Sequence, residues 1–294
     1  MAVMNMYEEI RKSLQFSKFE FGDMLFAEFT CPFEASKAGI WTPMDSFVHV
    51  LEGRKTWRTV QGSWTAEQGQ TLYIKKGASI IEQHMDEKFC VLLLFVSDSF
   101  IARCVQEVAE QLDPQPILPE DDQRALSVQN DVVLTAYFQS MFSYFSSEKR
   151  PSDTLLQHKL KELVLNILLN GKNQELASYF RSLSRSSAPP VREIMASNFC
   201  YNLSLDDYAR LCGTSLSTFK RDFKVIFQTT PGKWLLQKRL EYSAMLLSNQ
   251  TLPITQIAFE SGFEDLSHFS RSFKQKFGVS PSEFRGNICH SADS

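Results

Sequence analysis

The chain reads LDDYARLCG at 205–213 and STFKRDF at 217–223, and the same pattern returns as ITQIAFESG at 254–262 and SHFSRSF at 267–273. Phe227 and Pro231 follow the first copy, and Phe277 and Pro281 follow the second. The spacing between equivalent positions is 49 residues in the first half of the unit and 50 in the second half. Matching small, apolar and proline positions with a period near fifty predict a duplicated structural unit.

Each copy has the pattern of a helix-turn-helix. A short helix ends at a Gly, which adopts the left-handed conformation without steric cost. In the second helix, Phe recurs every fourth residue, which predicts one buried face. The remaining positions are small, polar or cationic, as a helix that reads the major groove requires. We predict that DNA is contacted by Ser217, Thr218, Lys220, Arg221, Lys224, Ser267, His268, Ser270, Arg271 and Lys274.

One copy alone is explained equally well by a helical hairpin with a solvated, charged face, because isolated helix-turn-helix patterns are weak signals. Two copies on one chain favour DNA binding. Arg221 and Arg271 are then expected to read base edges, since Arg bonds guanine bidentately. Lys220, Lys224 and Lys274 are expected to contact phosphates.

This stretch resembles the DNA-binding domain of the AraC/XylS transcriptional regulators, which carries two such units joined by a helix. The residues that carry the resemblance are Ile254, Ile257, Ala258, Gly262, Phe263, Phe269, Phe273, Lys274, Phe277, Gly278, Pro281, Phe284 and Arg285. The resemblance implies an all-α DNA-binding domain over 191–288, with a connecting helix from Gly232 to Ser248. It also implies an activator that binds double-stranded promoter DNA and works with RNA polymerase.

The charge distribution agrees with DNA binding only weakly. The net charge of the chain is −3, but residues 187–294 hold 12 Lys and Arg against 10 Asp and Glu, a balance of +2. A balance this small predicts modest non-specific affinity and reliance on direct readout. An interaction protein whose two units no longer bind DNA therefore remains as an alternative.

Residues 24–97 have the pattern of a small β-barrel. Short segments rich in Val, Ile, Phe and Thr alternate with Gly turns. The predicted strands are Met24–Thr30, Ser46–Leu51, Thr56–Val60, Thr71–Ile74, Ser79–Gln83 and Phe89–Val96. The region resembles the cupin-like barrel of many of these regulators, on the residues Val50-Leu51-Glu52-Gly53, Gln68-Gly69-Gln70 and Lys76-Gly77. The whole chain is therefore predicted to be α+β, and its overall character resembles the type III secretion activator subgroup.

The barrel is expected to sense a small molecule or a protein partner rather than to catalyse a reaction. Trp41, Phe47, Trp57, Trp64 and Tyr73 are candidates for an apolar ligand pocket, with plain core as the alternative. A metal-binding cupin needs a close His pair, which this region lacks.

The region offers only His49, Glu52 and His84 as metal ligands, and His49 and Glu52 point to opposite faces of a strand. We expect no metal, no cofactor and no catalytic residue. An enzyme fused to a DNA-binding domain is the remaining alternative, and Cys31-Pro32 is the only distinctive context for a reactive thiol.

Residues 98–183 change to a helical period. Helices are predicted from Ile101 to Leu112, over 132–145, over 155–168 and over 174–183. The apolar stripes must pack on the barrel or on a second copy, and residues 131–170 are the predicted homodimer surface. We assign 1–183 to the sensing and dimerisation domain and 184–190, which holds Pro189-Pro190, to a linker. Six cysteines without a C-x-x-C pair and the absence of a signal-peptide pattern or long apolar run predict a cytoplasmic protein without membrane contact.

Overall fold

The structure is a computed structural model of the 294-residue chain, and it describes residues 3–30, 36–83, 88–112, 123–185, 191–249 and 251–292. The main division of the chain is into two compact units, Met4–Pro189 and Pro190–Ser294. The first unit combines β-sheet and helices, and the second is helical. The predicted α+β class is confirmed.

Eleven strands occur in the described part of the first unit and at its start. They are β1 (Val3–Asn5), β2 (Ser17–Phe21), β3 (Met24–Thr30), β4 (Lys37–Thr42), β5 (Asp45–Glu52), β6 (Arg54–Arg58), β7 (Ser63–Glu67), β8 (Thr71–Ile74), β9 (Gly77–Gln83), β10 (Cys90–Val96) and β11 (Ala125–Val128). They form a five-stranded sheet in the order β1-β4-β9-β6-β7 and a six-stranded sheet in the order β11-β8-β5-β10-β3-β2.

The six-stranded sheet is buried on both faces. In β10, Val91, Leu93 and Phe95 belong to the core between the two sheets. The alternate residues Leu92 and Leu94 belong to a second core, shared with the helices of this unit. A strand covered on both sides needs apolar residues at every position, which explains the uninterrupted apolar run of β10.

The helices of the first unit are α1 (Met6–Lys12), α2 (Asp98–Glu107), α3 (Val132–Phe145), α4 (Asp153–Leu169) and α5 (Gln174–Arg185). Phe138 of α3, Leu160 of α4 and Phe180 of α5 are fully buried in the core that includes the outer face of the six-stranded sheet. One face of each of these helices therefore docks on the sheet of its own chain.

A buried carboxylate fastens α5 to the sheet. Asp45, at the start of β5, accepts hydrogen bonds from the hydroxyls of Tyr73 at 2.6 Å and of Tyr179 at 2.8 Å. Asp45 is completely buried, and it also accepts from the backbone N–H of Lys76 at 2.8 Å. The Tyr179 hydroxyl belongs to α5, so this contact holds the last helix before the second unit against the sheet.

The second unit consists of α6 (Val191–Asn198), α7 (Leu205–Leu211), α8 (Leu216–Phe227), α9 (Pro231–Leu247), α10 (Ile254–Glu260), α11 (Leu266–Phe277) and α12 (Pro281–Ala292). Gly213 and Gly262 follow the first helix of each repeat with φ angles of +65° and +89°. The left-handed conformation predicted for both glycines is therefore present.

Caps define several helix ends of the second unit. Ser204 and Asp207 form the predicted reciprocal capping box at α7, and Ser280 and Glu283 bond reciprocally at α12. Thr230 precedes Pro231 at the start of α9 and does not cap the helix with its side chain. Its backbone carbonyl accepts from the N–H of Trp234 instead, at 3.0 Å.

Several elements differ from the prediction. The first 23 residues, for which no helix or strand is predicted, contain α1, capped by Asn5, and β2. Strands β4, β7 and β11 were not predicted, and β11 lies within the stretch assigned to helices. Ser184 and Arg185 belong to α5 rather than to the linker, and residues 186–190 lie outside the described residues.

His49 of β5 is a packed core residue. Its ring lies parallel to that of Phe138, with 4.1 Å between centroids, and its Nδ1 is 2.8 Å from the hydroxyl of Thr71. Burial lowers the pKa of His49 from 6.5 to about 4. Glu52 lies at the exposed end of the strand, 3.4 Å from the ammonium of Lys88. His84 lies outside the described residues.

We predict that His49 makes the first unit less stable as the pH falls from 6.5 towards 4. In that window the unfolded chain binds a proton that the folded chain excludes, so the free energy of unfolding decreases with falling pH, by at most about 3 kcal/mol. Urea unfolding at pH 7 and pH 5 measures the loss. His49→Gln should reduce it, whereas the exposed His158→Gln should not. An equal loss in the wild type and His49→Gln would contradict the assignment.

Candidate nucleic-acid interface

The second helix of the first repeat, α8, is anchored by aromatic rings. Phe219 lies parallel to Tyr208 of α7, with an angle of 8° and 6.3 Å between centroids. Phe223 and Phe227 contact Trp234 of α9 at 6.2 and 5.1 Å. Phe219 and Phe223 are buried, so the phenylalanine face predicted from the sequence is the packed face of α8.

The equivalent helix of the second repeat, α11, is held in the same way. Phe269 contacts Phe263, in the turn before the helix, at 5.0 Å. Phe273 and Phe277 contact Phe284 of α12 at 5.3 and 5.4 Å. Two helices with the same spacing of aromatic residues therefore present equivalent outer faces.

The predicted DNA-contacting residues lie off these packed faces. Eight of the ten are exposed, and Thr218 and Ser270 are partly exposed. The Arg221 side chain is 73% exposed, and its Nε lies 3.1 Å from a carboxylate oxygen of Asp222. Arg271, at the equivalent position, donates from Nε to the carbonyl of Ser267 at 3.3 Å, and Ser272 stands where the first repeat has Asp222.

The N-terminal ends of the two helices carry different groups. Ser215 caps α8, and its hydroxyl is 3.0 Å from those of Ser217 and Thr218. Asp265 caps α11 by accepting from the N–H of His268. The first helix thus presents three hydroxyls at its end, whereas the second presents a carboxylate that can only accept hydrogen bonds.

One lysine of α11 is used internally. The ammonium of Lys276 lies 3.0 Å from a carboxylate oxygen of Glu241 on α9. Burial raises the pKa of Glu241, but hydrogen bonds from Gln237, Lys276 and Lys238 outweigh it and lower that pKa to about 2. This contact ties α11 to α9, so Lys276, unlike Lys274, faces the protein.

The five aromatic residues proposed for a ligand pocket do not line one cavity. Phe47 and Tyr73 make an edge-to-face contact, with 4.9 Å between ring centroids, on the helix side of the six-stranded sheet. Trp57 instead faces the core between the sheets. Trp64 packs partly against that core, and Trp41 is buried. Successive side chains of a strand point to opposite faces of the sheet, so aromatic residues that are close in sequence belong to different cores.

Trp57 lines a cavity of about 40 Å³ between the two sheets, together with the buried Lys55, whose ammonium lies 4.2 Å from the ring centroid of Phe89. A cavity of this size is far below the several hundred Å³ of a typical ligand site. In this conformation the space between the sheets accommodates solvent-sized molecules only.

The described residues contain no cluster of three or more His, Cys, Asp or Glu side chains placed to hold a metal ion. Burial raises the pKa of the Cys104 thiol to about 11 and that of Cys200 to about 12, so both thiols are protonated near neutral pH. Cys31 and Pro32, the context for the enzyme alternative, lie outside the described residues.

Two family matches cover most of the chain. Residues 45–179 match the ExsA N-terminal regulatory domain, and residues 208–287 match a helix-turn-helix domain. The chain belongs to the AraC/XylS family of transcriptional regulators. The resemblance that the repeat carried is confirmed, as is the subgroup expected from the first domain.

Individual relatives align with both units. VirF, the virulence regulon transcriptional activator of Yersinia enterocolitica, is 24% identical over 241 residues, which cover 82% of this chain and 89% of VirF. The regulator ExsA of Pseudomonas aeruginosa is 24% identical over 236 residues, covering 80% and 84%. The solved structure of ToxT from Vibrio cholerae is 17% identical over 92% of this chain and 96% of ToxT, with a TM-score of 0.37.

No helix in the described ranges combines the length and apolar character that crossing a bilayer requires.

Proposed function

We propose that this protein is a transcriptional activator that reads two successive major-groove segments of promoter DNA with α8 and α11. The observation that carries the proposal is the equivalence of the two helices. Each has Phe on its packed face and an exposed Arg, Arg221 or Arg271, at the same position of its outer face. A helix held by its apolar face with Arg on the other is the arrangement by which helix-turn-helix proteins read bases.

The residues of the outer faces receive distinct roles in this proposal. Arg221 and Arg271 read guanine edges, since the guanidinium can donate two parallel hydrogen bonds to O6 and N7. Lys220, Lys224 and Lys274 neutralise phosphates, and the hydroxyls of Ser217, Thr218, Ser267 and Ser270 and the ring of His268 complete the two contact surfaces. Because residues 187–294 carry a balance of only +2, most of the selectivity has to come from the base contacts.

The first unit is proposed to receive the regulatory signal. Its match to a regulatory domain supports this role, and the transcriptional-activator function named for VirF supports activation through RNA polymerase. The signal can be a small molecule or a protein. Because the cavity between the sheets is small, a protein that binds the surface of the first unit is favoured over a small molecule as the signal.

The function is tested by fluorescence anisotropy of the full-length protein with random genomic duplexes at about 50 and 200 mM salt. Release of counterions predicts binding that weakens steeply as salt increases. Absence of binding at both salt concentrations would favour the interaction-protein alternative. The fragment 187–294 distinguishes a further case: if it binds and the full chain does not, the first unit restrains the DNA-binding domain.

The roles of Arg271 and Lys274 are tested as a matched pair on the selected binding site. Arg271→Ala should cost about 1–3 kcal/mol of binding free energy and relax the preference at one base position. Lys274→Ala should weaken binding to all sequences alike and reduce the salt dependence by about one phosphate contact. Uniform weakening by Arg271→Ala would instead make Arg271 a phosphate ligand.

We further propose that two chains associate through the outer faces of α3 and α4, within residues 131–170. Val132 of α3 is 82% exposed, and Leu155 and Leu169 at the two ends of α4 are 40% and 45% exposed. Leu155 and Leu169 are separated by four turns and lie on the same side of α4, opposite its buried residues. Exposed apolar residues on helices already docked on their other face are suited to contact a second copy.

Sedimentation velocity of the full chain at micromolar concentration tests this association. A dimer is expected, and Leu155→Glu with Leu169→Glu should shift it towards monomer by introducing like charges into the interface. Leu14→Glu, at a residue 99% exposed outside these helices, serves as the control. A monomeric wild type, or a control that dissociates equally, would contradict the proposed surface.

A further inference from the structure

The loop between α6 and α7 joins several elements of the second unit. The Tyr208 hydroxyl of α7 donates to the carbonyl of Asn198 at 2.8 Å, at the start of the loop. Arg239 of α9 donates from Nε to the carbonyl of Phe199 at 2.7 Å and from Nη2 to that of Tyr201 at 2.9 Å. The loop is therefore fixed to the first helix-turn-helix and to the connecting helix at once.

The same loop also touches the second helix-turn-helix. Gly262 lies in the turn between α10 and α11, and a Cβ built on it would be 2.6 Å from the carbonyl oxygen of Cys200 and 2.9 Å from Nε of Arg239. Asn202 donates from its side chain to a carboxylate oxygen of Glu264 at 2.6 Å. The turn that leads into the second recognition helix is thus seated against the loop and against Arg239.

The duplicated sequence supplies a comparison for Gly262. Gly213 holds the equivalent position in the first repeat and has a φ angle of +65°, against +89° for Gly262. A Cβ on Gly213 would meet no atom within 4 Å. Backbone conformation alone requires Gly213, whereas Gly262 is required both by its conformation and by the close approach of the loop.

Besides α9, this loop is a second connection between the two helix-turn-helix repeats, and it limits how they move relative to each other. The helix α9 has 17 residues and is about 25 Å long. Each repeat packs on one part of α9: Trp234 contacts the rings of the first repeat, and Leu240 and Leu247 belong to the core of the second. A loop that contacts the first repeat, α9 and the second repeat closes the arrangement, because any hinge at the second repeat has to break its contacts with Arg239 or Cys200.

We infer that Arg239 is a positioning residue that, with Gly262, fixes the distance and the rotational phase between the two recognition helices. The protein then discriminates between promoters by the spacing of the two half-elements as well as by their sequence. One added base pair moves a half-element about 3.4 Å along the axis and about 35° around it, beyond what a rigid pair of helices accommodates. The inference rests on the proposed reading of DNA by both helix-turn-helix repeats.

The test uses the full-length protein and two duplexes. The first is selected by the protein from a random library, and the second has one base pair inserted between the two half-elements. The wild type should bind the second duplex about tenfold more weakly, the effect of losing good contact with one half-element. Arg239→Gln should reduce the difference in affinity between the two duplexes to about threefold or less, because the second repeat can then adjust to the new spacing.

Two matched controls accompany Arg239→Gln. Lys238→Gln alters the neighbouring cation of α9, whose ammonium lies 3.1 Å from a carboxylate oxygen of Glu241 rather than against the loop, and should leave the spacing ratio unchanged. Gly262→Ala should narrow the ratio and Gly213→Ala should not, although both place a side chain at a positive φ angle.

The outcomes separate the inference from the proposed function. A wild type indifferent to the insertion, or an Arg239→Gln variant that weakens both duplexes by the same factor, overturns the positioning role. If circular dichroism shows that Arg239→Gln is unfolded, the pair Gly262→Ala and Gly213→Ala decides: a ratio narrowed by Gly262→Ala alone supports the role, and a ratio unchanged by Gly262→Ala refutes it. A wild type that binds neither duplex contradicts the proposed function itself.

Discussion

The phenylalanine at every fourth position of α8 and α11 is the constraint on which the DNA-binding unit depends. Burial of a Phe side chain contributes roughly 1.5–3 kcal/mol, and Phe219, Phe223, Phe269 and Phe273 are each at most 1% exposed. These rings decide which face of each helix is turned inward, and the cationic face is turned outward as a consequence. Trp234 of α9 receives the rings of the first helix and Phe284 of α12 those of the second, so the elements flanking each helix serve the same purpose.

In the first unit, a sheet buried on both faces has the corresponding role. Because one face of β10 and its neighbours packs on the five-stranded sheet, the other face must be covered, and α2 to α5 cover it. Asp45 then contacts α5 through the hydroxyl of Tyr179. Displacing α5 would remove one of the three donors to this buried carboxylate, whereas those of Tyr73 and Lys76 would remain.

Local signals explain which elements the sequence predicts well. The bounds of α3, Val132–Phe145, and of β3 and β8 are those predicted, because periodicity and turn residues are properties of short segments. The short strands β4, β7 and β11 lack such signals and exist because neighbouring strands pair with them. The set of five aromatic pocket residues failed for a related reason: residue type predicts burial, but only pairing decides which face of which sheet a side chain joins. The role of Arg239 could not be predicted from the sequence. It is one of two adjacent cations on α9, and only its hydrogen bonds to two carbonyls, 38 and 40 residues away, distinguish it from Lys238.

The two repeats differ where they contact each other. Both retain the glycine that ends the first helix, yet only Gly262 has backbone against it, because only the second repeat is folded back onto the loop that precedes the first. Two repeats that could move on their connecting helix would lose affinity, because binding would then have to order them. Contacts of Arg239 and Gly262 with the loop supply that order in advance, at the cost of accepting a single spacing. The near-neutral charge of this unit makes such order more valuable, since little non-specific attraction is present to offset a disordered arrangement. Fixed spacing and weak overall charge therefore complement each other in a protein that selects its promoters by contact with bases.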